Sequence, residues 1–176
     1  MKTTKPEIGI MGQFATQNVL DDLDFVIKNG FQWFEIALDW KQNFNLSEKV
    51  LKEIKNKSKK YNIKLIVHTA WYLPNCTIVP ELKEAVIKNI KKGIIIAKKV
   101  KADRVTVHPG MREMPPPGIQ MNYQALIETL KEIVNFANKH KINVCLENLD
   151  KTSSNLGVLY EDYIKVRNSV PGIKTT

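Results

Sequence analysis

Arg104-Val105-Thr106-Val107-His108-Pro109-Gly110 reads as a β-strand that is apolar on one face and polar on the other. Val105 and Val107 fall on one side and Arg104, Thr106 and His108 on the opposite side, because successive strand side chains point to alternate faces of a sheet. Pro109 and Gly110 then end the strand, since proline cannot donate to a ladder and glycine favours a turn. The stretch from Trp33 to Asp39 repeats the design, with Phe34, Ile36 and Leu38 set against Glu35, Ala37 and Asp39. An open doubly wound sheet is covered by helices on both faces, and its strands are apolar on both. A barrel turns one face to its helices and encloses the other, so polar groups can gather inside. The alternation therefore predicts an α/β fold of the parallel (β/α)8 TIM-barrel type.

Outward from these two strands, short β-rich runs alternate with amphipathic stretches from one end of the chain to the other. Strands are predicted at Glu7 to Met11, Trp33 to Asp39, Lys64 to Thr69, Arg104 to His108 and Asn143 to Glu147, with the start of a sixth from Gly172. Two helices stand out by a period near 3.6: one with Leu82, Ala85, Val86, Ile90, Gly93, Ala97 and Val100 on a stripe, the other with Leu126, Ile127, Leu130, Ile133, Val134 and Ala137. Asn18 and Ser47 suit helix N-caps, Pro80 a first helical turn, and Gly30 the position after a helix end. No linker interrupts the alternation, so residues 1–176 are expected to form a single partial barrel domain of five βα units plus the start of the sixth strand. A complete barrel of this type usually needs about 250 residues. The chain by itself is accordingly expected to be inactive as an enzyme. It is also expected to expose apolar edges that invite self-association or a complementing chain.

The 176 residues are 43% apolar, which supports a packed core and argues against a disordered chain. The longest aliphatic run, Ile94-Ile95-Ile96, is too short to cross a bilayer, and no apolar signal segment follows the basic N-terminus. A cytoplasmic protein with no membrane partner is expected. Cys76 and Cys145 lack a metal-type spacing and read as reduced thiols, Cys145 as a buried one within a strand. The net charge of +9 admits a nucleic-acid partner. Only three of the 27 basic residues are Arg, however, and Arg is the residue best suited to phosphate and base readout. The lysines are spread over helix faces, as at Lys83, Lys88, Lys91 and Lys92, which favours a solvated surface.

His68 ends the third predicted strand, His108 the fourth and Glu147 the fifth. In a (β/α) barrel the C-terminal strand ends form the face where active sites are built, because the βα loops converge there. Two imidazoles and a carboxylate are also what Zn²⁺ or Mn²⁺ accepts in a catalytic site with an open position. One strand-end histidine is most often a satisfied core residue. Three ligand-type residues at matching ends of consecutive strands form a candidate site. His140, the only other histidine, falls in a polar helix tail, where the C-terminal dipole explains it.

The sequence resembles the xylose-isomerase-like barrels, which comprise sugar isomerases and epimerases together with abasic-site endonucleases of the endonuclease-IV type. The resemblance is carried by His68 with the following Ala70-Trp71-Tyr72-Leu73-Pro74-Asn75, by Val107-His108-Pro109-Gly110, and by Leu146-Glu147-Asn148, and it spans the whole chain. In the endonucleases it implies that the two histidines and the glutamate help to hold a three-zinc cluster. In the sugar enzymes it implies that Glu147 binds one divalent ion (Zn, Mn, Mg or Co) and often acts as the proton-transfer base, with His68 and His108 nearer the substrate. His68, His108 and Glu147 are therefore the expected metal ligands, Glu147 the expected catalytic residue, and Trp71, Tyr72 and His108 the expected substrate contacts. The third-strand loop lacks the serine of the endonuclease pattern and is one residue longer. Pro115, Pro116 and Pro117 suggest a stiff, lid-like loop over a small-molecule pocket. The favoured partner is thus a sugar or sugar phosphate, and abasic-site DNA is the alternative. Glu35, inward by strand parity, is expected to pair with Lys64 or Arg104.

Overall fold

The structure, a computed structural model, describes residues 6–12, 18–116, 118–150, 156–157 and 159–176. Among them strands and helices alternate: β1 (Gly9–Met11), α1 (Val19–Lys28), β2 (Trp33–Ala37), α2 (Glu48–Tyr61), β3 (Lys64–His68), α3 (Pro80–Val100), β4 (Arg104–Val107), α4 (Ile119–His140), β5 (Asn143–Leu146), α5 (Tyr160–Ser169) and β6 (Lys174–Thr175). A short 3-10 turn, Lys41–Asn43, lies between β2 and α2. The local signals act where the sequence places them. Asn18 Oδ1 accepts the Leu20 N–H, Ser47 Oγ accepts the Val50 N–H, Pro80 opens α3, and Gly30 follows α1 at φ +73°.

Each strand pairs only with its neighbours in sequence, always in parallel, giving the order β1-β2-β3-β4-β5-β6. A doubly wound sheet reverses its order at a switch point. A monotonic order, joined by the right-handed crossovers that parallel strands take, puts every helix on the same side. The six strands thus form an arc of barrel wall with helices outside. Phe34, Ile36, Leu65, Val67, Val105, Val107, Val144 and Leu146 face those helices and are at most 3% exposed. Ile90 and Ile94 of α3 and Leu126, Leu130 and Ile133 of α4 pack into the same core. Burying one such side chain contributes roughly 1.5–3 kcal/mol, so this outer layer dominates stability.

Two expectations shift in detail. Leu82 and Ala85, placed on the buried stripe of α3, are exposed. A helix of 21 residues is about twice as long as the five-residue strand beneath it, so its first turns overhang the sheet. The ladders also stop one or two residues short of the predicted strand ends, at Ala37, His68, Val107 and Leu146. Hydrogen bonds nevertheless continue the wall past them, from Leu38 N to His68 O, Thr69 N to Thr106 O and Glu147 N to Val107 O. At the opposite end of the wall, three αβ turns share one construction. Asn62, Lys101 and Lys141 adopt left-handed φ of 56°, 60° and 58°, and the next N–H bonds back into the preceding helix each time. Among the described residues, no helix is long and apolar enough to cross a membrane.

Candidate metal centre at the strand ends

Strand parity turns His68, His108 and Glu147 to the concave face; the register sets His108 beside Glu147, and His68, which pairs with Thr106, two residues lower. His68 Nε2 lies 2.9 Å from His108 Nε2, and Glu147 Oε2 lies 3.9 Å and 3.8 Å from those two nitrogens. Sides of 2.9, 3.8 and 3.9 Å enclose a point about 2.1 Å from every corner, the length of a zinc–nitrogen bond. The three donors therefore fit one divalent ion, and the two histidine–glutamate distances exceed those of ordinary hydrogen bonds. Both histidines are buried, while the Glu147 side chain is 41% exposed. That leaves solvent or a substrate access to the carboxylate side.

The two imidazoles differ in what stands behind them. His68 Nδ1 meets Asp39 Oδ2 at 2.9 Å. A carboxylate behind a ligating imidazole fixes its orientation and raises its basicity. Burial alone lowers the His68 pKa, but the hydrogen bond and charge of Asp39, with Glu35 and Glu147 adding to them, leave it raised above 6.5. His108 has no such partner. Its Nδ1 is buried with nothing to bond among the described residues, and burial, with the neighbouring His68, lowers its pKa to about 4. Glu147 is pushed above the usual carboxylate range by burial and by Glu35, against the opposing pull of His68. A raised carboxylate is a better proton acceptor than a free one.

The model of the xylose isomerase-like TIM barrel family matches residues 23–175. The chain belongs to that family. As a xylose isomerase-like barrel it superposes on a D-tagatose 3-epimerase-like protein with a TM-score of 0.81 and 20% identity, over 92% of this chain and 60% of that one. It superposes on D-psicose 3-epimerase in the presence of D-fructose with a TM-score of 0.75 and 17% identity, over 95% and 61%. The chain is also 24% identical to the uncharacterized protein MJ1311 of Methanocaldococcus jannaschii, over 87% of this chain and 52% of the relative. It thus spans about 60% of the length of these two solved structures and about half of that relative.

Within this xylose isomerase-like barrel, the aromatic loop reaches the centre through Asp39. Trp71 and Tyr72 are about half exposed and meet edge to face at 5.8 Å. The Trp71 N–H donates to Asp39 Oδ1 at 3.0 Å, and the Tyr72 hydroxyl donates to the Asp39 carbonyl at 2.7 Å. Asp39 was legible only as an inward residue at the end of the second strand, the same signal that marks the three ligands. Asn75 belongs to the aromatic-loop motif, but its sequence position gives it no role. It is fully buried and its side-chain amide donates to the His108 carbonyl at 2.6 Å. The loop after β4 is tied to the same segment, because Cys76 Sγ bonds the Met111 carbonyl and the Ile78 N–H donates to Glu113. Pro117, part of the expected lid, lies outside the described residues.

The expected partner of Glu35 requires correction. Glu35 accepts the Thr106 hydroxyl at 3.0 Å, while Lys64 bonds Glu7 and Arg104 stands over the Trp33 ring and 3.7 Å from Asp103. The register explains this: Lys64 pairs with Trp33, two residues below Glu35, and Ile66 separates Glu35 from Arg104. Both cysteines are free and buried, and burial, with the nearby Glu113 adding to it, pushes the Cys76 thiol up to about 12, which leaves it unreactive. His140 closes α4 and packs on Phe136.

Proposed function

We propose that the chain carries the ligand-bearing part of a divalent-metal-dependent sugar or sugar-phosphate isomerase or epimerase, in a cytoplasmic setting. The observation that supports this most is the convergence of His68 Nε2, His108 Nε2 and Glu147 Oε2 at ligand spacing on the strand-end face. His68, His108 and Glu147 would hold the ion, with Zn, Mn, Mg and Co as the candidates. A bound divalent cation supplies positive charge against the oxygen that turns negative when an adjacent carbon loses its proton. Glu147 would take that proton on a carboxylate oxygen and, in an isomerisation, return it to the neighbouring carbon on the same face; an epimerisation would need a second acid, outside this cluster, to protonate the opposite face. The raised basicity and half-open position of Glu147 suit this role. Trp71 and Tyr72 offer apolar surface to a sugar ring, while His108, with Nε2 turned to the ion and Nδ1 buried, acts as a ligand rather than a substrate contact.

One observation favours abasic-site DNA cleavage instead: both histidines, not Glu147 alone, stand at ligand distance, as the resemblance to the endonucleases implies. The number of ions separates the two readings. One exchangeable ion per chain, with sugar-dependent exchange of a substrate C–H proton for deuterium in a longer form, supports the isomerase or epimerase. Three zinc ions and metal-dependent incision of an abasic duplex would replace it with the endonuclease. The 176-residue chain alone is expected to take up the ion without turnover, because the described wall supplies three protein ligands and β1 and β6 leave its edges unpaired. The same edges are expected to drive self-association or to accept a complementing chain.

A further inference from the structure

Asp39 stands just beyond β2 with its side chain 2% exposed, and all three of its oxygens face donors that belong to the site or its loop. Oδ2 meets His68 Nδ1 at 2.9 Å, Oδ1 accepts the Trp71 N–H at 3.0 Å, and the carbonyl oxygen accepts the Tyr72 hydroxyl at 2.7 Å. An ionised carboxylate only accepts, so the proton in the contact with His68 sits on Nδ1. Nε2 is then the ring atom left for an ion, and it is the one aimed at His108 and Glu147. His108 has no equivalent support, since its Nδ1 is without a partner among the described residues. His68 is therefore the ligand whose tautomer and direction are set in advance.

We propose that Asp39 is the positioning residue of this centre: one carboxylate holds His68 in the Nδ1–H form with Nε2 turned to the ion, and simultaneously fixes the backbone of the aromatic loop at Trp71. The proposal rests on the metal-centre reading for its purpose, but its geometric content does not. Because the two carboxylate oxygens have separate duties, an amide of the same shape cannot perform both. In D39N, an amide oxygen turned to the Trp71 N–H puts the NH2 group against His68 Nδ1. That nitrogen must then accept, and the ring proton moves to Nε2, where it blocks the ion. The opposite amide orientation sets two donors against each other at Trp71 and releases the loop.

The test uses the full 176-residue chain, metal-free, with ring ¹⁵N NMR of the histidines at alkaline pH, followed by zinc titration calorimetry. The parent is expected to show His68 protonated on Nδ1. D39N is expected to show the proton on Nε2 or a displaced Trp71 amide resonance, and zinc affinity reduced about 10–100-fold, the usual effect of losing the carboxylate behind a ligating histidine. Far-UV circular dichroism of D39N should match the parent. A parent ring protonated on Nε2 overturns the proposal even if D39N does not fold. So does a D39N chain that keeps the Nδ1–H ring, the Trp71 resonance and zinc affinity within about twofold of the parent. If the parent ring is protonated on Nδ1 but the chain takes up no zinc, the metal reading fails while the assignment of Asp39 as the residue that orients His68 stands.

Discussion

Gly110 and Gly30 both hold positive φ, +88° and +73°, yet their surroundings are opposite, and the pair isolates how tightly the loops of the site are packed. A Cβ on Gly30 would meet nothing within 4 Å, whereas one on Gly110 would lie 2.9 Å from the Asn75 backbone nitrogen and 3.1 Å from the Leu73 carbonyl oxygen. G30A should therefore cost only the conformational penalty of alanine in the left-handed region, about 1 kcal/mol. G110A carries the same penalty and a collision with backbone atoms, which cannot swing aside as a side-chain tip can. Relief requires moving the segment around Asn75, at an overpacking cost of about 1–3 kcal/mol. It also strains the 2.6 Å hydrogen bond from Asn75 to the His108 carbonyl. A total near 3 kcal/mol is expected for G110A on these terms. Urea unfolding of the metal-free variants, followed by circular dichroism, measures both. Zinc calorimetry should show weaker binding in G110A, because His108 moves with its loop, and unchanged binding in G30A. A G110A chain within about 0.5 kcal/mol of G30A would refute the reasoning, since only the shared backbone penalty would then remain.

Zinc affinity should fall as pH drops below neutrality, with about one proton displaced per ion rather than two. The sign follows from the two histidines: His68, raised above 6.5, still holds a proton there that the ion must remove, whereas His108, lowered to about 4, is already neutral. Calorimetry in buffers of differing ionisation enthalpy gives the proton count, and a count of two near pH 6.5 would contradict the asymmetry. Separately, K101G and K141G should each raise stability by about 0.5–1 kcal/mol, because glycine relieves a lysine held in the left-handed region at a helix end. Shifts of the urea midpoint measure this, and a fall for both would show that the lysine side chains contribute more than their backbone strain removes.

Much of this architecture is legible in the sequence because strand periodicity reports faces directly. Phe34 and Ile36 against Glu35, and Val105 and Val107 against Thr106, identify a wall with one apolar side, and the strand-end positions of His68, His108 and Glu147 follow from the same parity. What parity does not report is which inward atoms meet. Glu35 finds Thr106 instead of Lys64 or Arg104 because register, not face, sets the neighbour. Asp39 bears the same strand-end signature as the ligands, but its value lies in contacts with His68, Trp71 and Tyr72, about thirty residues distant in sequence. Asn75 sits in a loop with no periodicity at all, so only the folded chain reveals its hold on the His108 carbonyl. The exposed Leu82 shows the converse limit, since a helical stripe says nothing of where the underlying sheet ends.

The monotonic strand order also bears on synthesis. Domains emerging from the ribosome begin to fold from the N-terminal side, and here each new strand can dock on the one that left just before it, without waiting for distant sequence. The donors consequently arrive in sequence: His68 with the third unit, His108 with the fourth, and Glu147 only with the fifth. A nascent wall of four strands presents two imidazoles and no partner carboxylate from the fifth unit, so ion capture by the triangle is deferred until that unit has emerged.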